Sequence, residues 1–178
     1  MAAAFMTIGH SNRTLEEFVG MLRAARVGLL VDVRSFPRSR SNPAFNIDCL
    51  PHDLAQVQIS YRHCPALGGR RPKQPVVDER LNAFWRVRSF HNYADYALGD
   101  AFAAAFDAIV ELGREAPLAL MCSEAVWWRC HRRIITDYLV LNGHAVEHLM
   151  GPGRTQQAVP TPGARRTDAG KVIYPPDP

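Results

Sequence analysis

Two short segments carry most of the reactive side chains. Cys122-Ser123-Glu124 is followed closely by Cys130-His131-Arg132. A thiol, a carboxylate, an imidazole and a guanidinium this close in sequence can supply a nucleophile, an acid or base, and a cation to steady negative charge. The apolar run 118–121, introduced by Pro117, reads as a strand, and 127–141 as a helix ended by Asn142-Gly143. Cys122 then falls at a strand end, and Cys130 to Arg132 on the first turns of a helix, where the dipole favours a thiolate. On this pattern Cys122 or Glu124 is the expected reacting group with His131 in support, while Cys130 and Arg132 contact the ligand. Free cysteine is also among the most buried residue types, so a core role for either thiol stays open.

Other clusters compete with this pair. Asp32 and Arg34 alternate along an apolar run and so face one side, with Arg38 and Arg40 following. They make either a structural ion pair or an arginine clamp on phosphate. Gly9-His10-Ser11 places a small residue, an imidazole and a hydroxyl after the first apolar run. Gly68-Gly69-Arg70-Arg71 offers backbone N–H groups and charge for an oxyanion. His63-Cys64-x5-Arg70 has the spacing of a cysteine-phosphatase loop, but Pro72 and Pro75 argue against the helix such a loop enters. Cys122, Cys130 and His131 could compose a zinc site, yet their spacing matches no common module, so no metal or other cofactor is expected.

The elements that must position these groups alternate. Residues 5–8, 29–33, 59–63, 118–121 and 145–149 read as strands. Thr14-Leu15-Glu16-Glu17 fits a capping box opening a helix with an apolar stripe at Leu15, Phe18, Val19 and Leu22. Short helices are expected at 48–57 and 93–98 and a longer one at 100–112. The expectation is an α/β, three-layer domain: a mainly parallel five-stranded sheet flanked by helices, Rossmann-like or flavodoxin-like, over residues 1–150. From Gly151 the chain is Gly/Pro-rich and reads as an irregular tail, 151–178, adding little core. In such folds ligands bind beyond the carboxyl ends of the strands, and all five predicted ends carry small, polar or charged residues.

The segments Thr7–Ser11, Asp32–Pro37 with Arg40, Leu67-Gly68-Gly69, Phe90–Tyr96, and Cys122-Ser123-Glu124 with Cys130-His131-Arg132 together resemble the domain-of-unknown-function 488 family. The resemblance spans about residues 5–150 and implies a compact cytoplasmic α/β protein with a site at these motifs, and no particular reaction. Family members often carry a Pro and small or polar residues between the two cysteines. Here stand Ala125-Val126-Trp127-Trp128-Arg129, implying a bulkier helix entrance and a different ligand.

Composition bounds the rest. The 178 residues are 47% hydrophobic and 21% charged, which excludes a disordered or collagen-like chain. Met1 to Gly9 is apolar but short and lacks a basic start, so it reads as a first strand and not a signal peptide. Four cysteines without a leader point to a reduced cytoplasmic protein, and no run is long enough to span a membrane. The net charge of +4 is uneven: residues 34–88 hold ten basic against four acidic side chains. The expected partner is a phosphate-bearing small molecule, nucleotide or nucleic-acid fragment, bound by an enzyme. The rivals are a non-catalytic nucleic-acid-binding module and phosphatase chemistry at Cys64 and Arg70.

Overall fold

A computed structural model describes residues 4–177. The first strand, β1 (Phe5–Gly9), is buried throughout, and α1 (Leu15–Ala24) starts where Thr14 accepts a hydrogen bond from the Glu17 N–H. Then come β2 (Leu29–Asp32), α2 (Leu50–Ala55), β3 (Ser60–His63), α3 (Arg88–Ala97), α4 (Asp100–Glu115) and β4 (Leu118–Cys122). The chain continues as α5 (Arg132–Leu141), β5 (Val146–Gly151), β6 (Arg154–Gln157), β7 (Arg165–Arg166) and β8 (Val172–Ile173). The central sheet has the order β3-β2-β4-β1-β5-β6 and is parallel except for β6. The three-layer α/β architecture expected from the alternation is present.

Strand alternation divides the core. Met6, Ile8, Leu30, Ala119 and Met121 pack with the apolar stripe of α1 and with Leu50 and Leu54 of α2. Phe5, Val31, Leu118, Leu120 and Cys122 pack with the faces of α3, α4 and α5. The period of two therefore places Cys122 on the α5 side and Asp32 on the other. The chain moves outward from β1 to β3 through one helical layer and returns to β4 and β5 through the other. Neighbouring β1 and β4 thus send their following loops to opposite faces, which opens a crevice at their carboxyl ends.

Two expectations change. The helix anticipated over 127–141 is broken: Trp127–Arg129 is a single 3-10 turn, Cys130 is extended (φ −125°, ψ 151°), and α5 begins at Arg132. Trp127 holds that turn away from the helix axis, stacking on His148 at 4.3 Å and donating from its indole N–H to Gln156. The segment after Gly151 is also built in. Its strand β6 extends the sheet, and Ala158, Val172 and Tyr174 are buried in the larger core. The Tyr174 hydroxyl donates to Asp137 Oδ2 at 2.7 Å, Thr161 N–H donates to Oδ1 at 2.8 Å, and the backbone of Tyr174 bonds Asn82 and Phe84. The pattern of glycine and proline hid these contacts because their partners lie on α5 and in residues 79–85.

Tyr174→Phe, which leaves buried Asp137 short of a donor, is expected to cost about 1–3 kcal/mol. Tyr174→Ala is expected to cost on the order of 3–5 kcal/mol, as for other large aromatics removed from a core. Urea unfolding reads both, and unchanged midpoints would return the segment to the status of an appendage.

Candidate functional site

The crevice at the strand ends is a cleft of about 440 Å³. Its walls come from the loops after β1, β2, β3 and β4; the loop after β5, expected to join them, turns directly into β6 instead. Of the residues singled out by sequence, His10, Arg34, Gly69, Arg70, Cys122, Glu124, Cys130 and His131 line it. Gly9, Ser11, Asp32, Arg40, Gly68 and Arg132 do not.

On the α5 side the two thiols meet, with Sγ atoms 2.7 Å apart. His131 Nε2–H donates to the Val33 carbonyl at 2.8 Å, which leaves Nδ1 facing Cys130 Sγ at 3.4 Å. This has the layout of a nucleophile, a base and a group orienting the base. Burial opposes a charge on Cys130. It is outweighed by the Cys122 S–H donating to that sulfur, by the contact with His131 and by the charge of Arg132, so the Cys130 thiol lies well below the ordinary range. Burial and the same sulfur contact push the Cys122 thiol well above it. Between the two, the thiolate belongs to Cys130, whereas the sequence favoured Cys122. Glu124 presents its carboxylate at the exposed rim, where it accepts from Val126 N–H at 3.1 Å. Its carbonyl, not its carboxylate, enters the interior and accepts from Arg132 Nη2.

Beneath the thiols Arg132 is 1% exposed. It donates from Nη1 to Thr7 Oγ1 at 3.1 Å, and that hydroxyl shares a hydrogen bond with His148 Nδ1 at 2.6 Å. Arg132 therefore supports the thiolate from below and is out of reach of a ligand in the cleft. Burial, then the charge of Arg132, lowers His148 to about 4.

On the other face Arg34 is committed to the protein. Its Nε and Nη2 form a two-pronged pair with Asp32 at 2.9 and 2.7 Å, Nη2 also donates to the Phe45 carbonyl, and Nη1 donates to His10 Nε2. Four of its five N–H groups are used. Asp32 takes the Tyr61 hydroxyl as well. His10, stacked on Phe45 at 4.6 Å, is held neutral by burial and the nearby Arg34, with Nδ1–H on the Ser11 carbonyl. Asp32 and Arg34 are thus the ion pair and not the clamp. Arg38 is bonded to Asp48, and Arg40 is exposed away from the cleft. Arg70 and Arg129 keep their guanidinium groups free of hydrogen bonds and ion pairs among the described residues; Arg70 lies over the Phe36 ring at 4.9 Å. Arg129, Phe36 and Phe90 also line the cleft, although none of them was expected among the ligand-binding residues. Phe36 stood inside a quoted motif, but only its 64% exposure marks it as more than core.

The glycines serve packing. A Cβ on Gly9 would fall 1.9 Å from the Glu124 carbonyl oxygen, on Gly68 2.6 Å from Ser35 Oγ, and on Gly69 2.6 Å from His131 Nδ1. Tyr93 and Tyr96 of α3 hold the same loop by donating to the carbonyls of Leu67 and Ala66. That loop spends several of its N–H groups within the protein. The N–H groups of Leu67 and Gly68 go to Cys64 and Pro65 carbonyls and that of Arg70 to Ser35, and burial raises the Cys64 thiol, which lies outside the cleft. Among the described residues, no group of three or more His, Cys, Asp or Glu is placed to hold a metal ion. No described helix is long and apolar enough to cross a membrane.

A domain of unknown function, DUF488, matches residues 14–139. The chain belongs to the DUF488 family. No curated protein and no solved structure matches it. The DUF488 match runs from the cap of α1 into α5 and so includes Cys122, Cys130 and His131, with the β2 and β3 loops that face them.

Gly69→Ala is expected to drive the His131 ring from Cys130 and to slow alkylation of that thiol by iodoacetamide near pH 7; an unchanged rate would show the ring is not needed there. His148 gives a pH signature. Its charge is disfavoured in the fold, so its contribution is complete above the ordinary 6.5 and lost as pH falls towards 4. The loss amounts to about 3 kcal/mol. Urea midpoints of His148→Gln are expected to fall less between pH 7 and pH 4.5 than those of the parent; parallel falls would assign the acid sensitivity elsewhere.

Proposed function

We propose that the strand-end cleft binds a phosphate-bearing ligand, a nucleotide or nucleic-acid fragment, and that Cys130 attacks its phosphorus as a thiolate nucleophile: an S–P bond forms, a P–O ester bond breaks, and the leaving oxygen takes up a proton. His131 Nδ1 takes and returns the thiol proton. Arg70 and Arg129 meet the phosphate; of the three arginines expected there from sequence, Arg34, Arg40 and Arg70, this reading keeps Arg70. Phe36 and Phe90 offer apolar faces beside them. One observation carries this reading: an oriented Cys130–His131 pair opens into a cleft whose rim holds two uncommitted guanidinium groups. Arginine suits this task because its planar fork matches phosphate oxygens.

A non-catalytic nucleic-acid surface is supported less well. Of the basic residues in 34–88, Arg34, Arg38, Lys73 and Arg80 are already bridged to acids. Of the other six, Arg70 lines the cleft, Arg71 is bonded to the Gly68 and Pro65 carbonyls and lies over Tyr96, and Arg40, Arg62, Arg86 and Arg88 lie outside the cleft.

Iodoacetamide is expected to modify Cys130 rapidly at neutral pH, at a rate that no longer climbs through the pH 8–9 range of an ordinary thiol. Ribonucleoside 5′-monophosphates are expected to slow that modification, and Arg70→Ala with Arg129→Ala to abolish the protection. An inert Cys130 would sink the nucleophile. A reactive Cys130 that nucleotides and inorganic phosphate leave unprotected would sink the phosphate ligand. Binding of nucleic acid that is steeply salt-dependent and indifferent to Cys130→Ser would favour the surface reading.

A further inference from the structure

The nucleophile described above has a second thiol in contact with it that ligand attack does not use. Cys122 Sγ lies 2.7 Å from Cys130 Sγ, beyond a disulfide bond length of about 2.05 Å but with no atom between them. Cys122 is fixed at the end of β4, while Cys130 sits in extended backbone between the 3-10 turn and α5, outside regular structure. Both thiols line the cleft, so a small oxidant that enters it meets the pair together. The other two cysteines are placed differently: Cys49 directs its thiol to the carbonyls of Pro43, Ala44 and Asn46, and Cys64 lies outside the cleft.

We propose that Cys130 and Cys122 form a peroxide-responsive pair, in which Cys130 is oxidised by a small hydroperoxide and Cys122 resolves it as an intramolecular disulfide. This rests on the Cys130 nucleophile of the proposed function and not on its phosphate ligand. In the first step the Cys130 thiolate attacks the terminal oxygen of the hydroperoxide. An S–O bond forms, the O–O bond breaks, and the leaving alkoxide or hydroxide takes up a proton. The peroxide is reduced to alcohol or water, and Cys130 is oxidised by two electrons to a sulfenic acid. In the second step the Cys122 sulfur attacks the sulfenic sulfur. The S–S bond forms, the S–OH bond breaks, and hydroxide leaves with the Cys122 proton as water. A dithiol reductant restores both thiols by exchange. While the disulfide stands, Cys130 has no lone thiolate with which to attack a ligand, and it is protected from further oxidation.

Hydrogen peroxide tests this on the whole chain. Free thiols are expected to fall from four to two, the intact mass to drop by two hydrogens, and peptide mapping to join 122 to 130, all reversed by dithiothreitol. Cys122→Ser is expected to leave Cys130 as a sulfenic acid captured by dimedone, and Cys130→Ser to leave Cys122 unoxidised. Should either serine variant fail to fold, the thiol count and peptide map of the unaltered chain decide alone. If iodoacetamide modifies Cys130 rapidly but peroxide gives sulfinic acid there with no link to Cys122, this proposal is overturned and the nucleophile survives. If iodoacetamide fails as well, the nucleophile falls with it.

Discussion

His131 reaches across the crevice from the start of α5 and donates its Nε2–H to the carbonyl of Val33, one residue beyond the end of β2. That bond selects the tautomer: with Nε2 carrying the hydrogen, Nδ1 is left as the acceptor, and Cys130 is what it faces. It also bridges two loops that the winding of the sheet sends to opposite faces. Gly69 lies against the ring, Tyr93 packs at 5.2 Å on another side, and α3 holds the Gly69 loop through its tyrosines. Much of the α3 and α5 layer therefore serves to keep one imidazole where the end of β2 can orient it.

The opposite wall solves a different problem. Asp32 and Arg34 are almost wholly buried, and removing two charges from water is costly unless every lone pair and proton is answered. Here Asp32 takes two arginine contacts, a backbone N–H and a tyrosine hydroxyl, while Arg34 adds a carbonyl and a neutral histidine. The arrangement is stiff because losing any member strands another. It gives the cleft a firm floor on that side, and leaves the charge facing solvent to Arg70 and Arg129.

Strand and helix alternation was legible because buried parallel strands are continuous apolar runs and the Thr14 cap has a local signature. The strand-end rule then pointed to the right loops. What stayed hidden depended on partners distant in sequence. Cys122 and Cys130 are both small, buried and near a helix start; only the positions of His131, Arg132 and the second sulfur decide which one bears the charge. The Asp32–Arg34 pair is one of two readings the sequence leaves open; what settles it, His10 and the Phe45 carbonyl taking further N–H groups of Arg34, lies farther off along the chain. The break at Cys130 is set by Trp127 leaning on His148, a contact of 21 residues' separation that no helical period encodes.

The motifs after β1 and β4 are distant in sequence but form one structural unit. Gly9 pairs with Cys122, and the missing side chain at Gly9 is what lets the Glu124 carbonyl lie against β1. That carbonyl is then within reach of Arg132 Nη2 and of the Cys122 thiol at 3.6 Å. Arg132 can consequently be buried beneath the thiols with one branch on Glu124 and the other on Thr7, its positive charge held close to the Cys130 sulfur. A side chain at position 9 would push the 123–125 turn outward, take the carbonyl from Arg132, and loosen the cation that helps offset the cost of burying a thiolate. The glycine after β1 thus acts on Cys130 through Glu124 and Arg132, without needing to touch a ligand.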